Sequence, residues 1–211
     1  MSIMPLNLVL WIEVAGIFFG LPLLLMGNFV PRPKSIVMIA VCIACLFLLL
    51  RDKSFNRSRF GLNGYHNWRT LLMRFAIIAC CLTLYMVLVE PRCALANLQR
   101  HPTSWMLIMI TYPVLSVVPQ EIIYRAFFFQ RYRSLFVHEK VSIVTNAALF
   151  AFAHILFRNW IAVIGSFIAG LCWATTYLRS KSFLVVSIEH VLYGNFVFTL
   201  GLGHYFYAPD F

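Results

Sequence analysis

Long apolar segments recur along almost the whole chain, separated by short polar stretches. They run over about 7–26, 35–50, 70–89, 104–118, 120–136, 141–157, 160–178 and 182–202. A membrane-crossing helix needs roughly 20 mostly apolar residues, and most of these segments approach that length. The pattern therefore predicts an all-α, polytopic bundle of about seven to eight transmembrane helices.

The fourth and fifth segments are separated by almost no polar sequence and contain Pro113 and Pro119. Proline removes a backbone donor and bends a helix without always ending it. We expect residues 104–136 to form one bent crossing, which gives seven crossings in all.

Composition agrees with a membrane protein. The 211 residues are 62% hydrophobic and 11% charged, and the mean hydropathy is +0.83. A soluble domain carries about twice that share of charged residues. Residues 1–211 are therefore predicted to form a single membrane-embedded domain in contact with the lipid bilayer.

The net charge of +10 reflects basic residues scattered through short loops, with no aromatic-interleaved cluster that favours nucleic acid. Seven crossings place most loop charges on one side: Arg51, Lys53, Arg57, Arg59, Arg69, Arg131, Arg133, Lys140, Arg179 and Lys181. The other side has only Arg32, Lys34, Arg92, Arg100 and Arg158. The positive-inside rule puts the richer side, and the N-terminus, in the cytoplasm. We expect a multi-pass protein of a bacterial inner (plasma) membrane.

The six cysteines do not suggest a disulfide framework. Only Cys93 falls in a loop, while Cys42, Cys45, Cys80, Cys81 and Cys172 lie within apolar segments. Their spacing shows neither paired disulfides nor a zinc motif.

Ionisable side chains interrupt three of the later apolar segments. Glu121 and Arg125 lie in the fifth segment, His154 in the sixth and His190 in the last, followed by Asn195. Such residues are costly in lipid and usually mark a functional site. At 1.5 Å per residue, Glu121, His154 and His190 lie about 20, 20 and 12 Å from the basic ends of their helices. Three helices can therefore bring them together.

The local sequences form three ordered motifs: Gln120-Glu121 followed by Arg125, Phe150 followed by His154, and His190 followed by Asn195. This series resembles the CAAX protease and bacteriocin-processing family of intramembrane proteases, whose pattern is Glu-Glu-x-x-x-Arg, Phe-x-x-x-His and His-x-x-x-Asn. The resemblance covers roughly residues 104–203, which would be the catalytic core.

The resemblance implies a glutamate-type reaction without metal. The first glutamate and the second-motif histidine would activate water, and the third-motif histidine and asparagine would stabilise the oxyanion. By position, His154 becomes the water-activating residue and His190 and Asn195 the oxyanion donors. Arg125 would hold the acidic motif in place.

Two positions depart from the family pattern. The first glutamate is Gln120, and an amide cannot act as a general base. Glu121 is the nearest replacement, either as base or as structural counter-ion of Arg125, with which it shares a helix face at i,i+4. Asn195 follows His190 by five residues and would point about 140° away from it, unless a π-bulge at Gly194 restores convergence. Without such a bulge, Asn195 would make an interhelical hydrogen bond.

Further polar residues have predicted supporting roles. Asn146 shares a helix face with His154 at i and i+8, and Glu189 precedes His190 and is expected to orient a histidine. Glu13 and Arg74 are candidates for a pair between helices.

These features favour an intramembrane endopeptidase acting on a membrane-associated peptide or protein, with Glu121 and His154 activating water and no cofactor. Zinc bound by Glu121, His154 and His190 is an open alternative. Two other classes also stay open: an inactive scaffold that binds a peptide, which Gln120 favours, and a small transporter, which intramembrane ionisable residues also suit.

Overall fold

The computed structural model of the protein describes residues 6–27, 29, 35–62 and 67–207. The described chain is a bundle of helices with no strand within those ranges. In chain order the helices are α1 (Leu6–Met26), α2 (Ser35–Arg51), α3 (Trp68–Val89), the short α4 (Ala96–Arg100), α5 (Pro102–Arg131), α6 (Glu139–Phe157), α7 (Trp160–Ser180) and α8 (Phe183–Leu200).

Six of the helices within the described ranges, all except α2 and α4, are long and apolar enough to cross a membrane. The apolar helix α2 has 17 residues, or about 25 Å at 1.5 Å per residue. The predicted all-α, multi-pass bundle is confirmed, and the helix bounds fall within a few residues of the apolar segments.

Helix α5 runs without a break from Pro102 to Arg131, so the fourth and fifth apolar segments form one continuous helix, as expected. Two π-helical turns lie within it, at Pro113–Val117 and Ile122–Phe127. The first begins at Pro113, one of the two prolines from which a bend was predicted. A π turn adds a residue to the hydrogen-bonded ring and often occurs at functional sites.

The short connections between the last three helices are fixed by caps. The Asn159 side chain accepts a hydrogen bond from the Ala162 N–H at 2.8 Å, and the Ser182 hydroxyl accepts one from Val185 at 3.1 Å. These caps satisfy backbone donors that helix N-termini leave unpaired. The helices α6, α7 and α8 are therefore held as tight antiparallel neighbours.

Small residues bring α6 and α7 together. A side-chain carbon at Gly170 would lie 3.1 Å from the Ala147 Cα, closer than ordinary packing allows. The outer surfaces of the bundle carry many exposed apolar side chains. In the most apolar part of α3, only 6% of the residues are buried inside the bundle, as expected for a helix that faces lipid.

The loops group at two ends of the bundle. At the basic end, formed by residues 51–62, 131–139 and 179–182, Gln130 donates a hydrogen bond to Asp52 at 2.7 Å. At the opposite end, formed by residues 89–101, 158–159 and 201–207, the Leu95 N–H donates to the Leu200 carbonyl at 3.0 Å. This grouping agrees with the loop alternation assumed in the charge count. Arg32 and Lys34, which entered that count, lie outside the described residues.

The suggested Glu13–Arg74 pair is wrong. Glu13 pairs with Arg131 at 2.6 Å near the basic end, whereas Arg74 points into the bundle from α3 and pairs with Glu189 at 2.7 Å. Sequence alone could not give these partners, because both depend on how each helix is rotated about its own axis.

Candidate active site

A buried ion pair on α5 forms the base of the candidate site. The carboxylate of Glu121 lies 3.6 Å from the Arg125 Nε, and both side chains are 0% exposed. The i,i+4 spacing predicted this shared face. Charges buried to this degree need further polar partners, because burial alone costs each ion several kcal/mol.

Asn146 supplies such a partner to Arg125. Its Oδ1 accepts a hydrogen bond from the Arg125 Nη1 at 2.9 Å, and its Nδ2 donates to the Tyr124 carbonyl at 2.6 Å. Tyr124 lies within the second π turn of α5. The amide on α6 therefore holds both the arginine and the irregular backbone beside it, so Asn146 positions the acidic motif.

His190 approaches the same carboxylate from α8. Its Nδ1 lies 2.8 Å from the Glu121 Oε1 in a fully buried contact. The imidazole also stacks on the Trp173 ring, with ring centroids 3.6 Å apart and planes 21° from parallel. Since a carboxylate only accepts hydrogen bonds when ionised, Nδ1 carries the proton and Nε2 points away from Glu121.

His154 lies at the end of the α-helical part of α6, where the chain tightens into a 3₁₀ turn over His154–Phe157. Its Nδ1 donates to the Phe150 carbonyl at 2.8 Å. This bond assigns the proton to Nδ1 and leaves the Nε2 lone pair free to accept.

The Phe150 ring lies between the two histidines. Its centroid is 4.6 Å from that of His154 and 6.1 Å from that of His190. The guanidinium carbon of Arg125 lies 4.9 Å from the same ring. The structure therefore brings Glu121, Arg125, Asn146, His154 and His190 into one cluster spanning α5, α6 and α8.

A cavity of about 870 Å³ adjoins this cluster. Residues from the opposite end of the bundle line much of it, and His154, Gln120 and Tyr112 form part of its wall. Most of the lining is apolar, as in sites that bind hydrophobic or peptide ligands.

Gln120 and Glu121 face different surroundings. Gln120 lines the cavity, donates from Nε2 to the Ser116 hydroxyl at 2.7 Å, and has a buried Oε1 without a hydrogen-bond partner among the described residues. Glu121 lies behind it and contacts His190 and Arg125. The position where the family pattern has its first glutamate thus faces the cavity, and here it carries an amide.

Asn195 is not brought to His190 by a local distortion. Helix α8 is α-helical from Phe183 to Leu200, so the π-bulge considered at Gly194 does not occur. Five residues of regular helix separate the two side chains by about 140° around the axis. Asn195 remains partly buried, with its Oδ1 unpaired within the described part of the chain.

Gly194 is the residue one helical turn after His190. A side chain there would collide with the ring of Tyr112, so the tyrosine occupies the space that an asparagine at this position would need. The Tyr112 ring also lies 6.0 Å from that of His190.

Glu189 faces away from the histidines. It is fully buried and paired with Arg74, whose Nη2 also donates to the Thr176 hydroxyl at 2.5 Å. The residue ties α8 to α3 through a partly buried ion pair. Within the described residues Glu189 makes no contact with a histidine, so the expectation that it orients one is not supported; its carboxylate pairs with Arg74 on α3.

Sequence reasoning missed three residues of this site: Tyr112, Ser116 and Trp173. The first two precede Gln120 at intervals of four residues, which is the spacing of one helix face. That spacing was the available signal. Trp173 had none, because its stacking on His190 is set only by the packing of α7 against α8.

The fold and this cluster define a class: a multi-pass helical membrane protein with a buried Glu–His–Arg site beside a large cavity. Residues 102–196 match the family described as "Type II CAAX prenyl endopeptidase Rce1-like". The match confirms the resemblance indicated by the three motifs, and it covers the helices that carry them. It supports a membrane protease. No curated protein and no solved structure matches the chain.

Proposed function

We propose that the protein is an intramembrane endopeptidase that hydrolyses a peptide bond of a membrane-associated protein or peptide. The observation that carries this proposal is that two histidines lie on either side of the Phe150 ring. One of them, His154, lines the cavity with a free Nε2, and the other, His190, is bonded to the buried Glu121.

In the proposed reaction, His154 accepts a proton from water through Nε2 while the water oxygen attacks the substrate carbonyl carbon. The carbonyl oxygen becomes an oxyanion. A doubly protonated His190, stabilised electrostatically by the Glu121 carboxylate, donates from Nε2 to that oxyanion. The C–N bond then breaks, and His154 returns the proton to the departing amine.

Glu121 could activate water directly, or it could act indirectly by holding and charging His190. Direct activation of water stays a prediction. The packing favours the indirect role, because the carboxylate is fully buried and bonded to the His190 imidazole. Asn195 as second oxyanion donor also stays a prediction and requires α8 to unwind locally. The mechanism is proposed without a metal ion. The zinc alternative is not favoured, because Glu121, His154 and His190 are not grouped as a metal site among the described residues, and the Phe150 ring lies between the two histidines.

The test compares protein N-termini in membranes of cells that express the wild type or single variants at equal abundance. Cleavage products present with wild type should be lost with His154→Ala and Glu121→Gln, whereas His138→Ala and Glu139→Gln, at exposed positions outside the cavity wall, should preserve them. A purified peptide assay should then show a rate loss of about 10²–10⁴-fold for His154→Ala. Full processing by both site variants would refute the reaction.

A second candidate function is favoured by one observation: the amide of Gln120 occupies the cavity wall at the motif position of the family's first glutamate. In this case the protein binds a membrane peptide in the cavity and does not cleave it. Wild type would then be inert in both assays, and Gln120→Glu would create cleavage by adding a carboxylate on the cavity side of His154.

The substrate is expected to reach the cavity from the opposite end of the bundle, which carries fewer basic residues. By the positive-inside rule this end faces away from the cytoplasm. Residence in a bacterial plasma membrane is part of the same proposal. The partners are thus the lipid bilayer and a membrane-associated peptide or protein, with no nucleic acid.

A further inference from the structure

We propose that Glu90, Cys93 and His204 form a binding site for a zinc-type divalent metal ion at the opposite end of the bundle. Each residue offers one ligand atom, and these atoms lie within 4.8 Å of one another. A carboxylate oxygen, a thiolate sulfur and an imidazole nitrogen are ligands that zinc accepts. Three protein ligands leave a fourth position for water.

Two chain segments that are far apart in sequence meet here. Glu90 directly follows the last residue of α3, and Cys93 lies in the 3₁₀ turn Pro91–Cys93. His204 lies in the 3₁₀ turn Leu202–Phe206, after α8. The separation in sequence explains why cysteine spacing did not indicate zinc.

The backbone holds the two segments together independently of any ion. The Leu95 N–H donates to the Leu200 carbonyl at 3.0 Å. Gly201 has φ +106°, and a side chain there would collide with the Cys93 carbonyl. Glycine is required by both the positive φ and this close approach. The ligands are therefore brought together by the fold.

His204 has the orientation of a metal-binding histidine. Its Nδ1 donates to the Gly201 carbonyl at 3.0 Å, an arrangement typical of zinc-bound histidines. The proton then resides on Nδ1, and the Nε2 lone pair faces the Glu90 Oε2 at 3.3 Å. Two acceptor atoms at this distance repel each other unless a cation or a second proton lies between them.

The other oxygen of Glu90 is also supported. Its Oε1 accepts hydrogen bonds from the hydroxyls of Tyr205 and Tyr85, the latter at 3.3 Å. Outer partners of this kind fix the direction of a ligating carboxylate. One oxygen is thus anchored by tyrosines, and the other is left for His204 or for a metal ion.

The site is separate from the proposed reaction, which uses none of these three residues. Cys93 and His204 line the same cavity as His154. A bound ion would therefore join the α3–α4 connection to the turn after α8 and stabilise this part of the cavity wall.

The experiment uses the full chain in detergent, purified through a tag without histidine and freed of metal with a chelator. Zn²⁺ is titrated by calorimetry, and Co²⁺ binding is followed by thiolate-to-metal absorption. We expect one ion per chain. Cys93→Ser should abolish the thiolate band, and His204→Gln should weaken Zn²⁺ binding at least tenfold.

Matched controls are Cys80→Ser and His101→Gln, at exposed positions outside the cluster, which should bind like wild type. His204 is 46% exposed, so its replacement should not prevent folding, and gel filtration verifies this. No binding by wild type would mean that a second proton on His204, rather than a metal ion, bridges it to Glu90. That result, or unchanged binding by both ligand variants, would overturn the proposal.

Discussion

At the scale of single residues, the site differs at two positions from the pattern of the family that it resembles, and each difference has a structural counterpart. Gln120 places an amide at the cavity wall, where Ser116 binds it. Gly194 leaves a space that Tyr112 fills. An asparagine at position 194 would therefore need Tyr112 to move, whereas a glutamate at position 120 has the same length as the glutamine it replaces.

Replacing Gly194 with asparagine is predicted to destabilise the protein, because the new side chain collides with the Tyr112 ring. Overpacking of this kind costs about 1–3 kcal/mol. Thermal unfolding in detergent should show a lower midpoint for Gly194→Asn and partial recovery in the double variant with Tyr112→Ala. Gly165→Asn is the control, since nothing lies within 4 Å of a side-chain carbon there. Equal midpoints for the Gly194 and Gly165 variants would contradict the packing argument.

At the scale of elements, the second π turn of α5 depends on a residue of another helix. Asn146 on α6 binds both the Tyr124 carbonyl and the Arg125 guanidinium. An irregular turn inside a membrane is tolerated only where its backbone groups find such partners. The geometry of the acidic motif is thus a property of the α5–α6 pair.

Removal of the Asn146 side chain is predicted to be costly. Asn146→Ala leaves the Tyr124 carbonyl and one arm of Arg125 unpaired, at about 1–3 kcal/mol for each buried group. Chemical unfolding in detergent should show this loss, together with reduced cleavage by the folded protein. Thr83→Ala serves as control, because its hydroxyl binds only a carbonyl of its own helix at an exposed position. A loss no greater than that of the control would refute the clamp.

At the scale of the whole molecule, the arrangement of loops predicts on which side of the membrane the cavity lies. The basic loops gather at one end, and the cavity is lined largely from the other. Charge asymmetry of this kind sets orientation during insertion. The substrate would then be processed from the non-cytoplasmic side.

Reporter fusions test this orientation. Alkaline phosphatase fused after residue 211 should be active, because the enzyme folds only outside the cytoplasm, and green fluorescent protein at the same position should be dark. A fusion after Val137, in the basic loop between α5 and α6, should behave in the opposite way. Inverted signals at both positions would reverse the assignment of the cavity.

The sequence determined the helices and the chemistry they carry. Apolar segments gave the helix bounds to within a few residues, because burial in lipid imposes a length and a composition that are visible locally. Helical spacing put Glu121 and Arg125 on one face, and the three motifs indicated the resemblance that the family match over residues 102–196 supports.

Only the tertiary structure decided which groups meet. Gln120, and not Glu121, lines the cavity; Arg74 pairs with Glu189; and Glu90 and Cys93 approach His204. Helical periodicity fixes neighbours along one helix but not its rotation about its axis, and the π turns of α5 shift that periodicity further. Contacts between helices arise from packing, which depends on the whole chain at once.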